Sequence, residues 1–479
     1  MTPIAHSSEA SQSEPGSFRD RNGRIYYVGD KVYRGISRQS HAHWKMLSQT
    51  GFYRTKTAEG KLIATEELLD AAIPEPAWLS EWACILRHEA IPFVSYPYEW
   101  SFGMLKDAAL LQLELLDASL REGMTMKDAS SFNIQWNGAS PVFIDIPSFE
   151  RQIQNTPWIA YRQFCKLFLY PLFLQAYKGI PFHAWLRGSI EGIDPEECSR
   201  LMSLRDRLRP GVMMDVYLQA KLQEKYADSD RAVREDLKQS GFSTQLILAN
   251  VKRLRNLIFN LKWSQLSSEW SEYAANNSYN DIDSAEKEQF VRASVSAKPR
   301  DLVWDIGCNT GKYSRIAAES ARYVVAMDYD HLAVERLFRE LKAEGNKSIL
   351  PLVMNIADSS PNLGWRGLER KALVERGTPA LTLCLALLHH VVITANVPMR
   401  EFLEWIASLG TDLVIEFVTK DDSMVKKLLK NREDQYSEYT LENFEQVLGQ
   451  LFSGVQKKTL ASGTRALYSA VSRNGHAGS

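Results

Sequence analysis

Cysteine is scarce in this chain. The 479 residues hold five thiols, at positions 84, 165, 198, 308 and 384, odd in number and scattered, which excludes a disulfide framework and fits reduced core thiols in the cytosol. No second pair of Cys or His ligands lies at metal spacing, so no metal is expected. Excess charge of one sign is also missing. With 57 basic and 58 acidic residues the formal charge is −1, which gives no electrostatic footprint for nucleic acid, and no nucleic-acid partner is expected. Long apolar runs are absent as well. The most apolar stretch, 164–177, is interrupted by Lys166 and Pro171 and is too short to span a bilayer, so it reads as a buried or groove-lining helix. Residues 1–17 are rich in Ser, Glu and Pro without an apolar core, and read as a disordered tail rather than a signal peptide. With 45% hydrophobic and 24% charged residues, a cytoplasmic globular protein is expected, long enough for two domains and a helical bridge.

What is present is most legible in the C-terminal half. The run Leu302 to Gly311, Leu-Val-Trp-Asp-Ile-Gly-Cys-Asn-Thr-Gly, is an apolar strand ending on an acid and followed by a turn of small residues into a helix. Gly307 and Gly311 give the turn the freedom a backbone needs where it approaches a ligand. About twenty residues on, 323–328 reads as a second buried strand ending in Asp328, where a carboxylate usually grips a ribose diol. The loop is D-x-G-x-N-x-G and lacks the last glycine of G-x-G-x-x-G, which makes a dinucleotide the weaker reading. Further strands are expected at 348–355, 381–388, 412–418 and 465–472, alternating with helical stretches. That pattern predicts a doubly wound α/β sheet with its ligand at the strand C-terminal ends.

The segment Asp305-Ile-Gly-Cys-Asn-Thr-Gly311 resembles motif I of the class I methyltransferases that use S-adenosylmethionine, with Asn309 standing where many members carry a third glycine. The resemblance implies a Rossmann-like methyltransferase domain over 298–474 and S-adenosylmethionine as cofactor. Asp305 and the backbone of Gly307, Asn309 and Gly311 would hold its methionine end, and Asp328 the ribose hydroxyls. Asn355 or Asp358 falls where the family contacts the adenine amino group. Tyr279, in the polar loop 276–281, is the candidate cap of the cofactor. The 381–388 strand delivers His389 and His390, which either shape the pocket or act as a general base. Glu416, at the next strand end, is placed to orient or deprotonate an acceptor. A sulfonium methyl is already activated, so alignment and exclusion of water carry most of such catalysis.

The N-terminal half, 18–215, reads as an α+β domain. Residues 24–36 predict a hairpin turning at Gly29-Asp30, residues 52–65 another around Glu59-Gly60, and a helix is expected from Leu105 to Leu120. The following segment, with Asp128, Asn133 and Asp145, resembles the catalytic core of kinase-like phosphotransferases: D-x-x-x-x-N, a hairpin, then an acid at a strand end. The resemblance implies that Asp128 positions an acceptor hydroxyl and that Asn133 and Asp145 hold metal. Lys127 before the acid, Ile146-Pro147 after it, and the absence of a phosphate-covering glycine loop or a strand lysine depart from that pattern. The plainer reading is that Asp128 and Asn133 are turn and cap residues. A degenerate module that binds or presents the methyl acceptor lies between the two.

Residues 216–297 read as a helical bridge and cofactor lid, with an amphipathic, partly basic helix at 246–258. Together with the segment Gly364 to Arg370, the Leu-Leu-His-His strand end and the stretch Glu416 to Asp421, the whole chain resembles a bacterial family of large methyltransferase-like proteins, that of the host-specific nodulation protein NoeA of rhizobia. The resemblance implies a part in legume nodulation, by modifying a signal molecule or a surface carbohydrate. The functional expectation is a methyltransferase acting on a small-molecule, carbohydrate or protein acceptor. Its alternatives are a catalytically degenerate scaffold and a bifunctional kinase-like methyltransferase.

Overall fold

The computed structural model describes residues 11–221, 243–263, 281–430 and 435–473. It forms two compact units: Met1–Asn137 with Pro141–Leu266 and Leu363–Glu369, and Gly138–Ser140 with Ser267–Asn362 and Arg370–Ser479.

The first unit is built on a five-stranded antiparallel sheet in the order β1-β2-β3-β5-β4, where β1 is Gln12–Ser13, β2 Gly23–Val28, β3 Lys31–Ile36, β4 Thr65–Glu67 and β5 Cys84–His88. β2 and β3 form the expected hairpin, closing at the pair Val28 and Lys31 with Gly29 at φ 56°, a conformation glycine adopts without a Cβ penalty. The described part of the expected tail is ordered. Gln12 and Ser13 pair with Tyr27 and Tyr26, because an open strand edge offers them backbone partners. The expected hairpin at 52–65 is instead the helix Gly51–Ala58. Thr50 Oγ1 accepts from Tyr53 N at 3.3 Å, and the Glu122 carboxylate accepts from Gly51 N and Phe52 N, each at 2.7 Å. A distant anion thus satisfies the orphan amides at the helix start.

The long helix Phe102–Arg121 starts at an N-capping Ser101 and is buried over most of its circumference. Against it packs the helix Thr244–Asn260, whose last turn is held by Lys106 Nζ donating to Phe259 O at 2.8 Å and Leu261 O at 2.9 Å. A cation on terminal carbonyls is the favourable end of a helix dipole. The helices expected to form a bridge are therefore divided: this one belongs to the first unit, and Asp281–Ser296 to the second. Residues 161–178 form consecutive helical segments with a wide central turn, and Leu167, Phe168, Leu169 and Phe173 are buried. No helix of the described residues is long and apolar enough to cross a membrane. Beyond the sheet lie β6 (Met124–Met126), paired with β9 (Phe149–Arg151), and the hairpin of β7 (Ile134–Asn137) and β8 (Ser140–Phe143).

The second unit is a seven-stranded doubly wound sheet in the order β12-β11-β10-β13-β14-β16-β15. Its strands are β10 Arg300–Ile306, β11 Ala321–Asp328, β12 Ile349–Val353, β13 Leu381–Cys384, β14 Asp412–Val418, β15 Phe452–Thr459 and β16 Arg465–Ser472. The first five run parallel, and β16 lies antiparallel between β14 and β15. This is the class I methyltransferase fold. Its centre is apolar on both faces, with Leu302, Val303 and Trp304 of β10 and all of β14 buried, as parallel strands covered by helices require. The winding direction reverses between β10 and β13, which opens the crevice for a ligand at their C-terminal ends.

Candidate cofactor and active site

Three left-handed residues shape the turn after β10: Gly307 at φ 79°, Asn309 at 49° and Gly311 at 79°. Gly307 N and Cys308 N donate to Met327 O at 2.8 and 3.0 Å, fastening the turn to the end of β11. A Cβ on Gly311 would lie 2.5 Å from Leu337 Cδ1, so only glycine fits there. Asn309 tolerates the left-handed region better than most side chains, and its Oδ1 accepts from Thr310 N at 2.8 Å. The asparagine thus does locally what a third glycine would do.

The two acids face this turn. Asp305 is buried and accepts from Ser314 Oγ at 2.6 Å. Burial pushes its carboxyl up to about 6 against that hydrogen bond, with the Asp328 charge adding to the rise. Asp328 accepts from Asn309 N at 2.7 Å on one oxygen and from Asp330 N at 2.8 Å on the other, and burial pushes it, too, up to about 6. Each oxygen keeps a second lone pair, enough for a diol.

At the end of β12, Asn355 and Asp358 are exposed. Asn355 Oδ1 caps a short turn through Ala357 N at 3.1 Å. Tyr279 lies outside the described residues. The expected strand 381–388 stops at Cys384, because Ala386 takes φ 52° and the chain enters a helical turn. His389 and His390 therefore sit in that turn, with ring centroids 4.2 Å apart. His389 is fully buried, neither ring nitrogen has a partner among the described residues, and burial with nearby His390, Arg465 and Lys287 pushes its imidazole well below the ordinary range. Burial alone pushes His390 down to about 4. Both rings are neutral at pH 7, and a base as weak as His390 is poorly matched to proton abstraction there.

Glu416 is not placed as an acceptor-facing base. Fully buried, it receives Lys287 Nζ on Oε2 at 2.6 Å and Arg465 on Oε1 at 3.2 Å, and Arg465 Nε goes on to Asp422 at 2.8 Å. Both carboxylate oxygens are thus taken up by cations of the protein itself. Sequence reasoning missed Lys287, Arg465, Asp422 and Ser314. The one available signal was a lysine in the helix preceding the first strand, on the same face as Val291 and Val295.

In the first unit, Asp128, Asn133 and Asp145 do come together. Arg34 of β3 and the Ser148 hydroxyl both bond Asp145, Asn133 Nδ2 reaches Ser148 Oγ at 3.5 Å, and Asp128 accepts from Ser130 N at 3.0 Å. Burial would lift Asp145, but Arg34 and Ser148 outweigh it and hold the carboxyl below its usual range. Burial and the neighbouring Asp145 charge push Asp128 up. The cation of this cluster is thus an arginine on a strand, where the sequence showed no lysine.

No family model matches the chain. The nodulation protein NoeA of Rhizobium meliloti (strain 1021) is 33% identical over 460 residues, 95% of this chain and 94% of the relative. The chain belongs to the NoeA family of nodulation proteins. Among solved structures, it is similar to the N-methyltransferase NodS of Bradyrhizobium japonicum WM9, at 14% identity and a TM-score of 0.30, over 40% of this chain and 99% of that one. It is also similar to the magnesium protoporphyrin IX methyltransferase ChlM of Synechocystis PCC 6803, at 18% identity and 0.30, over 42% and 93%. These likenesses are remote and cover less than half of the chain. The match within the NoeA family, by contrast, runs through both units.

Proposed function

We propose that this NoeA-family protein is an S-adenosylmethionine-dependent methyltransferase whose reaction belongs to nodulation. The observation that carries the reading is the pair Asp305 and Asp328 at adjacent strand ends, with the Asn309 amide of the left-handed turn donating to Asp328. The turn fits the cofactor on the structure's own terms. Gly311 lets the turn pack closely where a side chain would collide with Leu337, and the Asp328 oxygens retain lone pairs for ribose hydroxyls. The bound cofactor would supply a methyl group on a sulfonium, already activated for transfer. The chain's part is to bind and orient: Asp305 and the 307–311 backbone at the methionine end, Asp328 at the ribose, and Asn355 or Asp358 at the adenine rim. His389 and His390, uncharged, line the pocket and keep water from it.

We assign the first unit to presenting the acceptor, a signal molecule or carbohydrate. With Asp145 engaged by Arg34 and Ser148, metal-dependent phosphoryl transfer is the weaker reading of that cluster. A cytoplasmic setting agrees with five unpaired, buried cysteines. Calorimetric titration of the purified protein with S-adenosylmethionine is expected to give saturable binding with one site per chain, and ATP with magnesium no heat of binding. Absence of the first would leave a degenerate scaffold.

The same binding should depend on pH in a defined direction. Both carboxyls stand at about 6 in the folded protein, above the ordinary value of about 3.9. Between those values the folded state holds protons that the unfolded state has lost, so their contribution to stability falls as pH rises through that window and is level above it. A ligand that donates hydrogen bonds to the carboxylates selects their ionised forms. Affinity should therefore be constant above pH 7 and fall below 6, by about tenfold per pH unit for each group that must ionise. Affinity that is flat from pH 5 to 8 would remove these two acids from the site.

A further inference from the structure

The helix Arg38–Gln49 lies over the sheet of the first unit with His41 and Trp44 three residues apart, the spacing that puts two side chains on one face. Below them, Glu67 of β4 pairs with Leu86 of β5, so that Cys84, two residues along β5, is its diagonal neighbour on the same face. Three different donor types meet at this point. His41 Nε2 is 2.9 Å from Glu67 Oε1, and one ligand atom each of His41, Glu67 and Cys84 lie within 4.8 Å of one another.

We propose that His41, Glu67 and Cys84 form a binding site for a zinc-class divalent cation, which clamps the helix to the β4–β5 edge. The donor set is one imidazole, one carboxylate and one thiolate, the ligands of tetrahedral zinc. Three protein ligands leave the fourth position to water. The carboxylate is already oriented from behind: Trp44 Nε1 donates to Glu67 Oε2 at 2.9 Å and leaves Oε1 directed at the imidazole, the kind of outer contact that fixes a ligand for its metal. Cys84 is buried while His41 and Glu67 retain access to solvent, so an ion can enter from the surface. On binding, the Cys84 S–H bond breaks, its proton passes to solvent and a sulfur–metal bond forms. Without the ion, burial and the Glu67 charge push this thiol up to about 12; a cation between them reverses both influences. Lys45, whose charge acts on Glu67 and Cys84, is the cation with which the ion competes. Positions 41, 67 and 84 are too far apart in sequence to show a metal motif, which is why the sequence offered none.

The test is a titration of the full chain with cobalt(II) chloride. One equivalent is expected to produce a near-ultraviolet thiolate-to-cobalt absorption that zinc chloride then bleaches. Cys84→Ser should lose that band, and Glu67→Gln should weaken cobalt binding at least about tenfold. Unchanged far-ultraviolet circular dichroism and S-adenosylmethionine binding verify folding of each variant. Should Cys84→Ser fail to fold, Glu67→Gln and His41→Gln decide the matter alone. A wild-type protein without the band, or a band of equal intensity and midpoint in all folded variants, overturns the proposal.

Discussion

Replacing Asp328 with alanine is expected to weaken S-adenosylmethionine binding by about 1–3 kcal/mol, roughly fivefold to over a hundredfold. Two losses add. The ribose hydroxyls lose their acceptor, and the Asn309 and Asp330 amides, which now donate to the two carboxylate oxygens, are left to water. The second loss acts on the turn itself, because the Asn309 amide is one of three that tie it to the end of β11. Asp328→Asn separates the two: it keeps one oxygen and the shape of the side chain, and should retain part of the affinity. Calorimetry on the two variants, with amide hydrogen exchange at 309 and 330, checks both claims. Equal affinity in Asp328→Ala would mean that the ribose lies elsewhere.

Glu416→Gln should lower stability rather than simply slow a reaction. Removing one charge takes the Glu416 anion from buried Lys287 and leaves buried Arg465 with Asp422, and breaking a buried pair this way costs about 3–5 kcal/mol. Lys287→Met leaves Glu416 with Arg465, so a smaller cost is expected. The double variant should be less destabilised than the sum of the singles, since the two residues interact directly. Denaturant midpoints for the three proteins decide the matter. A Glu416→Gln protein as stable as the parent but without methyl transfer would restore this acid as the base.

The parts that could be read from sequence are those where local and tertiary demands agree. Leu302 to Trp304 and Tyr323 to Met327 are apolar because both faces are covered, and the glycine turn between the strands is forced by backbone geometry. Legibility fails where the deciding partner is distant. The helix at Gly51–Ala58 depends on Glu122, and an apolar run such as 381–388 does not reveal that Ala386 turns it out of the sheet. β15 escaped notice because most of its side chains are exposed and its register shifts between Ser453 and Gln456, so it carries no alternation. The candidate site divides the same way. Asp305, Asp328 and the turn follow from spacing, whereas Glu416 reads as a catalyst until Lys287, 129 positions away, is seen to hold it.

The short piece Leu363–Glu369, which completes the first unit although it is encoded after β12, bears on how the protein is made. Arg19 holds Glu369 through two hydrogen bonds of 2.8 Å, a contact of the first unit that can form only after β10, β11 and β12 have emerged from the ribosome. Domains that fold one after another during synthesis do not have this dependence. A stop codon placed between the halves would release a first unit that is permanently unfinished.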